Sequence, residues 1–313
     1  MNSQADVIIH IGPPKTATTT MQHFWFPELN SVVRFVGKPW FNPHVPYELC
    51  LRVHRAIDSI SMTPSGEEFN DELVRQAVKD YAECLVRLEP RLADAPILIS
   101  EERLVYEDIV DLSVLLDRLA RCFPEATIFY VERNRIDVLA SAYKWLFARD
   151  KTRLNFKQWV DAGLNNTKTA SEDPGLWFKC CDYPRLSLTL KSRFSNIVKL
   201  EFDDVITCPH RQFSRVFGSR MDSVTCDASS IENSSEKPLS LMAHRWCKKS
   251  LKLANRIFFW EVAIKEEYIS DNLFFKFLSL ISPLFFNEEK IYSLSESMKS
   301  DIENYYRSVR EPC

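Results

Sequence analysis

The chain has 313 residues, 45% hydrophobic and 27% charged, which is enough apolar content for a sizeable core. Its formal net charge of −3 excludes the global basic field of a nucleic-acid binder, so any polyanion must be held by local clusters. The nine cysteines include no C-x-x-C pair and the six histidines lie scattered, so the thiols read as free and no metal site is expected.

In chain order, residues 7–11 are β-branched and apolar and predict a buried strand. Gly12-Pro13-Pro14 is a turn, and Lys15 with Thr16, Thr18, Thr19 and Thr20 opens a helical pattern over 18–26 that ends near Pro27. A strand, a tight turn and a helix start form an anion site, because free backbone N–H groups and the positive helix end point at one spot. Lys15 adds a full charge and the threonine hydroxyls add donors. The stretch is not a nucleotide-triphosphate loop, since Gly12 is followed three residues later by the lysine with no second glycine.

Residues 30–66 read as irregular, with Phe35, Trp40, Phe41, His44 and Tyr47 interleaved with Pro39, Pro43, Pro46 and Pro64. Such a segment suits either the wall of a substrate cleft or a lid over the core. Helical spacing follows over 67–88, then a strand over 96–100 that ends in Glu101-Glu102-Arg103-Leu104. A helix over 109–122 precedes a strand over 126–131, which runs into Glu132-Arg133-Asn134-Arg135 and a helix over 135–148. A helical segment over 178–193 leads to a last strand over 196–200, and beyond 238 the pattern is mainly helical.

Short strands, apolar on both faces and alternating with helices, predict an α/β fold of P-loop-like, three-layer type. Its central parallel sheet has helices on both faces and extra helices at the C-terminal end. No linker divides the chain, so residues 1–313 are expected to form one domain, with an α/β core over 7–217 and a mainly helical extension over 238–313. Ligands of such sheets bind at the carboxyl ends of the strands.

Pro14-Lys15-Thr16-Ala17-Thr18-Thr19 resembles the 5′-phosphosulfate loop of the sulfotransferase family, with Ala17 where glycine is commoner. A second stretch, Arg133-Asn134-Arg135-Ile136-Asp137 through Ser141, resembles that family's 3′-phosphate element, an arginine followed eight residues later by a serine. Asn134-Arg135 stands where many members have a proline. Two softer matches agree in order: residues 183–204, where Glu201 reads as a structural acid capping the next turn, and Ile231-Glu232-Asn233-Ser234-Ser235.

The resemblance implies transfer of a sulfuryl group from 3′-phosphoadenosine 5′-phosphosulfate (PAPS), leaving 3′-phosphoadenosine 5′-phosphate (PAP), to a hydroxyl or amine without a metal. It places Pro14, Lys15, Thr16, Ala17, Thr18, Thr19 and Thr20 on the 5′ side of the donor, with Arg133 and Ser141 on the 3′-phosphate. Lys15 would assist the leaving group. Ser100-Glu101-Glu102-Arg103-Leu104 resembles the Ser-Ser-Glu-x-Leu run of bacterial and carbohydrate sulfotransferases, which offers Glu102 or Glu101 as general base. An acid paired with Arg103 or capping the next helix is the plainer reading, and His10, His23 and His44 are rival bases.

The Arg-Lys-Gly run of the small-molecule branch is missing, so the resemblance favours a glycan or glycolipid acceptor. A P-loop kinase-like phosphotransferase and an inactive nucleotide- or glycan-binding relative are the alternatives. The missing Gly-Lys-Thr argues against the first, and Lys15 with an available carboxylate against the second. The apolar run 273–286 is too short to span a membrane and reads as a buried helix–turn, with peripheral contact to a lipid surface as its alternative. No signal peptide opens the sequence and the cysteine pattern fits a reducing compartment, so a cytoplasmic location is expected.

Overall fold

The computed structural model describes residues 6–37, 42, 44–149, 151–167, 173–224 and 295–308. Five strands, β1 (Val7–His10), β2 (Arg34–Gly37), β3 (Ile97–Ser100), β4 (Thr127–Glu132) and β5 (Asn196–Glu201), form one sheet in the order β2-β3-β1-β4-β5. Every pairing is parallel. β1 is central, with His10 opposite Ser100 of β3 and Phe129 of β4. The strands added after β1 lie on one side of it and those after β3 on the other. The order therefore reverses beside β1, where open parallel sheets hold their ligands.

The period of two in each strand divides the core between two faces. Ile9, Val36, Ile99, Ile128 and Tyr130 pack on one face with the helices Tyr47–Met62, Asp71–Leu88, Leu112–Cys122 and Tyr183–Lys191. Ile8, Leu98, Phe129, Val131 and Leu200 pack on the other with Met21, Trp25, Phe26, Phe213 and Phe217. Each fully buried side chain of this kind contributes about 1.5–3 kcal/mol. The sheet is thus covered on both sides, as expected of strands apolar on both faces.

Local signals account for the helix limits. Asn70 caps the Asp71–Leu88 helix by accepting the Leu73 N–H at 2.9 Å, and Asp71 and Glu72 sit in its first turn. The first helix runs over residues 18–28, with a π-helical stretch Met21–Trp25 between two α-helical turns, Thr18–Thr20 and Phe26–Glu28. The helix closes at Glu28, one residue past Pro27 and close to the expected limit.

The segment 30–66 departs from its irregular reading. It contains β2 and the 16-residue helix Tyr47–Met62, which buries Cys50, Val53, Ala56, Ile57 and Ile60. That spacing is helical, and the prolines sit outside the helix rather than within it. The expected single helix over 178–193 is two, Pro174–Cys180 and Tyr183–Lys191, with Asp182 capping the second through the Arg185 N–H at 3.2 Å. Trp40, Phe41, Pro39, Pro43, the 231–235 segment and the apolar run 273–286 lie outside the described residues.

The chain divides into two compact units, one within residues 1–138 and 179–233 and the other within 139–178 and 234–313. The first holds the sheet. In the second, the helix Phe156–Leu164 opens on a reciprocal cap between Asn155 and Gln158, and Tyr143, Phe156, Trp159 and Phe178 form an aromatic cluster. The C-terminal helix Glu296–Ser308 joins it through Tyr306, whose hydroxyl donates to the Phe178 carbonyl at 2.8 Å. No described helix is long and apolar enough to cross a membrane.

Candidate functional site

The loop after β1 is tightly constrained. Ile11 N–H donates to the Phe129 carbonyl at 3.1 Å, which carries the β1–β4 pairing one residue further. The Thr16 hydroxyl closes the turn on the Pro13 carbonyl at 2.6 Å. Lys15 and Ala17 both take left-handed backbone angles, with φ of 64° and 63°. A non-glycine residue pays about 1–2 kcal/mol for that conformation, and two in three residues mark a loop whose shape is held by its surroundings. Helical bonding begins at once, with Met21 N–H on the Ala17 carbonyl at 2.9 Å. The N–H groups of the first turn therefore face the loop with no helical acceptor.

Within this loop Pro14, Thr16, Thr18 and Thr20 are buried, Lys15 and Ala17 are half-buried and Thr19 is exposed. Gly12 is required by contact: a Cβ there would lie 2.5 Å from Thr18 Oγ1 and 3.1 Å from His10 Cε1. Thr18 is 3% exposed and its hydroxyl has no hydrogen-bond partner among the described residues. Burying an unmet hydroxyl costs about 1–3 kcal/mol, so this group sits ready for an acceptor oxygen such as a phosphate supplies.

Arg133 leaves the carboxyl end of β4 and meets this loop. Its Nη1 donates to the Lys15 carbonyl at 2.9 Å, and its guanidinium lies 4.2 Å from the centre of the Phe202 ring. The two motifs that the sequence separates are joined here. Asn134 caps the helix Arg135–Ala148, its Oδ1 accepting from Ile136 N at 2.9 Å and Asp137 N at 3.4 Å. Ser141 is half-buried on that helix, two turns beyond Arg133.

The two glutamates after β3 have different surroundings. Glu101 is fully buried, and its Oε1 accepts the Arg103 N–H at 3.0 Å, capping the short turn Glu102–Val105. Glu102 is half-buried. Arg103 turns away from both, pairing with Asp58 at 3.2 Å, which also takes His54 at 3.0 Å. The plainer reading of these acids is therefore met in part: Glu101 is a cap, while the partner of Arg103 is Asp58. The Tyr106 phenol is pushed well up by desolvation, then by Cys180 and the Glu102 carboxylate, so it stays protonated beside the acids.

Glu201 also corrects its expectation. It makes no side-chain cap on the helix Phe202–Thr207 and instead sits 2.8 Å from Lys199, which reaches Glu132 at 3.1 Å as well. Residues two apart on a strand share a face, so the lysine is the nearer partner. These acids hold Lys199 protonated, its pKa raised by the hydrogen bonds it donates to Glu201 first and Glu132 next.

Among solved structures, the fold matches a sulfotransferase from Alicyclobacillus acidocaldarius with a TM-score of 0.50 and 13% identity, over 83% of this chain and 98% of that one. The chain has a sulfotransferase fold. Two further matches are a sulfotransferase domain from the curacin biosynthetic pathway (TM-score 0.44, 12% identity, 99% of each chain) and one from the Synechococcus PCC 7002 olefin synthase. For the latter the TM-score is 0.39 and the identity 10%, over 99% of this chain and 98% of that one. No protein-family model and no curated protein matches the sequence.

Sequence reasoning passed over one cluster beside the site. His10, a rival base in that reading, is fully buried and stacks on Phe129 at 4.8 Å. Its Nδ1 meets the Ser100 hydroxyl at 2.8 Å, and Gln22 Nε2 donates to the same oxygen at 3.0 Å. Burial lowers the His10 pKa to about 3, so the ring is neutral and out of reach of any acceptor. The only local signal was three polar residues at positions where the strand and helix patterns call for apolar ones. Among the described residues no group of His, Cys, Asp and Glu could hold a metal ion.

Proposed function

We propose that this chain is a sulfotransferase moving a sulfuryl group from PAPS to an acceptor hydroxyl or amine, acting as one domain built on the 7–217 core. The observation that carries this reading is the loop over residues 12–20, strained at Lys15 and Ala17 and anchored by Arg133, with the Thr18 hydroxyl awaiting an acceptor. A phosphate fits this donor set. The fold shared with a known sulfotransferase supports the same reading.

In this reading Lys15 and the N–H groups of residues 16–20 hold the 5′ side of the nucleotide, with Pro14 shaping the turn. The donor supplies an activated sulfuryl group on a phosphate leaving group. Lys15 neutralises charge that develops on the departing oxygen, a preorganised electrostatic role that removal typically exposes as a loss of about 10²–10³-fold. Arg133 keeps donors beyond the one given to Lys15 and is assigned the 3′-phosphate with Ser141. Glu102 takes the acceptor's proton, because Glu101 is committed to its cap and lacks solvent access. A sugar hydroxyl on a glycan or glycolipid is the proposed acceptor class.

The test is direct. The protein is incubated with PAPS and a panel of glycans, glycolipids and small alcohols, and products are searched by mass spectrometry for the gain of one sulfonate. A gain on a sugar acceptor is expected. No gain on any class, together with no binding of PAP, overturns the proposal.

A further inference from the structure

The loop with Lys15 begins one residue after His10, and the turn with Glu101 and Glu102 begins one residue after Ser100. Those two strand-end residues are the ones paired across β1 and β3, and their side chains bond at 2.8 Å. The backbone adds a parallel tie, Glu101 N–H to the His10 carbonyl at 3.2 Å. Gln22 enters from the first helix and donates to both oxygens of Ser100, the hydroxyl at 3.0 Å and the carbonyl at 3.3 Å. Three elements that carry the proposed chemistry thus converge on one serine.

Gln22 Nε2 donates into the Ser100 hydroxyl oxygen, and the same oxygen shares a proton with His10 Nδ1, the tautomer of the ring setting which of the two donates. Every member is buried, with His10 and Ser100 at zero exposure and Gln22 at 3%. In so low a dielectric the bonds are strong and their geometry is restrictive. His10 Cε1 and Thr18 Oγ1 both border the same point beside Gly12, which extends the contact from the cluster to the loop itself.

We propose that the His10–Ser100–Gln22 cluster is a positioning link that couples the nucleotide loop to the Glu102-bearing turn. Nucleotide seated on residues 15–20 then steadies residues 101–106 through Ser100. The cluster touches no reactant. Its effect is on the placement of Glu102 relative to Lys15, where a shift of about 1 Å can cost on the order of 10²-fold in rate. The inference rests on the proposed nucleotide site.

Hydrogen exchange of the full chain with and without PAP tests the link. In the wild type, PAP is expected to slow exchange of amides 15–20 and also of 101–106, and in Ser100→Ala only the first set responds. With PAPS and an acceptor, Ser100→Ala and His10→Phe each lower kcat about tenfold while PAP affinity stays within about twofold. The double variant falls no further than either single one, since both break one link. Phenylalanine keeps the stacking on Phe129, and alanine is small enough for the strand, so melting temperature reports separately on folding. Protection confined to 15–20 in the wild type overturns the link, as does a kcat unchanged in both single variants. No protection anywhere overturns the nucleotide reading instead.

Discussion

Arg133 donates from Nη1 to the carbonyl oxygen of Lys15 at 2.9 Å, across 118 residues of sequence. This bond ties the carboxyl end of β4 to the loop after β1 at the residue whose φ is 64°. The bond gives Arg133 a place in the loop, to which the proposed function adds the 3′-phosphate of the nucleotide. Arg133→Ala is expected to weaken PAP binding about 10–100-fold, the equivalent of about 1.5–3 kcal/mol for a charged hydrogen bond. Calorimetric titration with PAP measures it, and an unchanged affinity would separate the loop anchor from nucleotide binding.

Lys15→Ala is expected to lower sulfonate transfer about 10²–10³-fold with a smaller change in acceptor KM, since its charge is needed most as the leaving group departs. Lys15 is half-buried and its side chain is not part of the core, so the melting temperature should hold. Steady-state rates with PAPS as donor give the answer. Transfer at the wild-type rate would sink the mechanism.

Ala17 carries a left-handed backbone at φ 63° where glycine is the relaxed choice. Ala17→Gly should stabilise the chain by about 0.5–1 kcal/mol, the strain relieved less the entropy gained by the unfolded glycine. Ala17→Val should destabilise it by more than about 1 kcal/mol. Denaturant unfolding of the two variants decides, and the same sign for both would place the strain elsewhere.

The two glutamates should separate by phenotype. Glu102→Gln is expected to lower kcat about 10²–10⁴-fold with stability and PAP affinity retained. Glu101→Ala should cost about 1 kcal/mol through loss of the cap on Arg103 N–H. Paired rate and unfolding measurements test this, and the reverse pattern assigns the base to Glu101.

His10 makes stability depend on pH. Its pKa is about 3 in the folded chain against 6.5 for the free side chain, so the unfolded chain binds the extra proton as pH falls below 6.5. Stability contributed by the neutral ring is complete above pH 6.5 and is lost towards pH 3. At pH 4.5 the loss is about 2–3 kcal/mol. His10→Phe should lose less stability than the wild type between pH 7 and 4.5. Equal losses in both would mean that His10 does not contribute.

The strands β1, β3, β4 and β5 and the helix Arg135–Ala148 were legible from apolar runs and helical spacing. β2 was not, because it is four residues long and begins with Arg34, whose buried guanidinium is met by the Ala95 carbonyl. Nothing near Arg34 in sequence announces that partner. The helix Tyr47–Met62 was hidden by the prolines around it, although Cys50, Val53, Ala56, Ile57 and Ile60 carried its period. At the site, the residue types of the loop and the position of Arg133 were readable. The pairing of Arg103 with Asp58 and the cap made by Glu101 were not, since two adjacent acids look alike until their neighbours are known.

From residue order alone follow the alternation of strands and helices, the turn at Gly12-Pro13-Pro14 and the basic and hydroxyl groups around it. Each depends on neighbours within a few residues, where backbone geometry sets the period. The tertiary structure decides which distant groups meet. Lys15 lies against Arg133 and His10 against Ser100 because β1 sits between β3 and β4. That order is set by the burial of two apolar faces at once, a property of the whole sheet that no local spacing encodes.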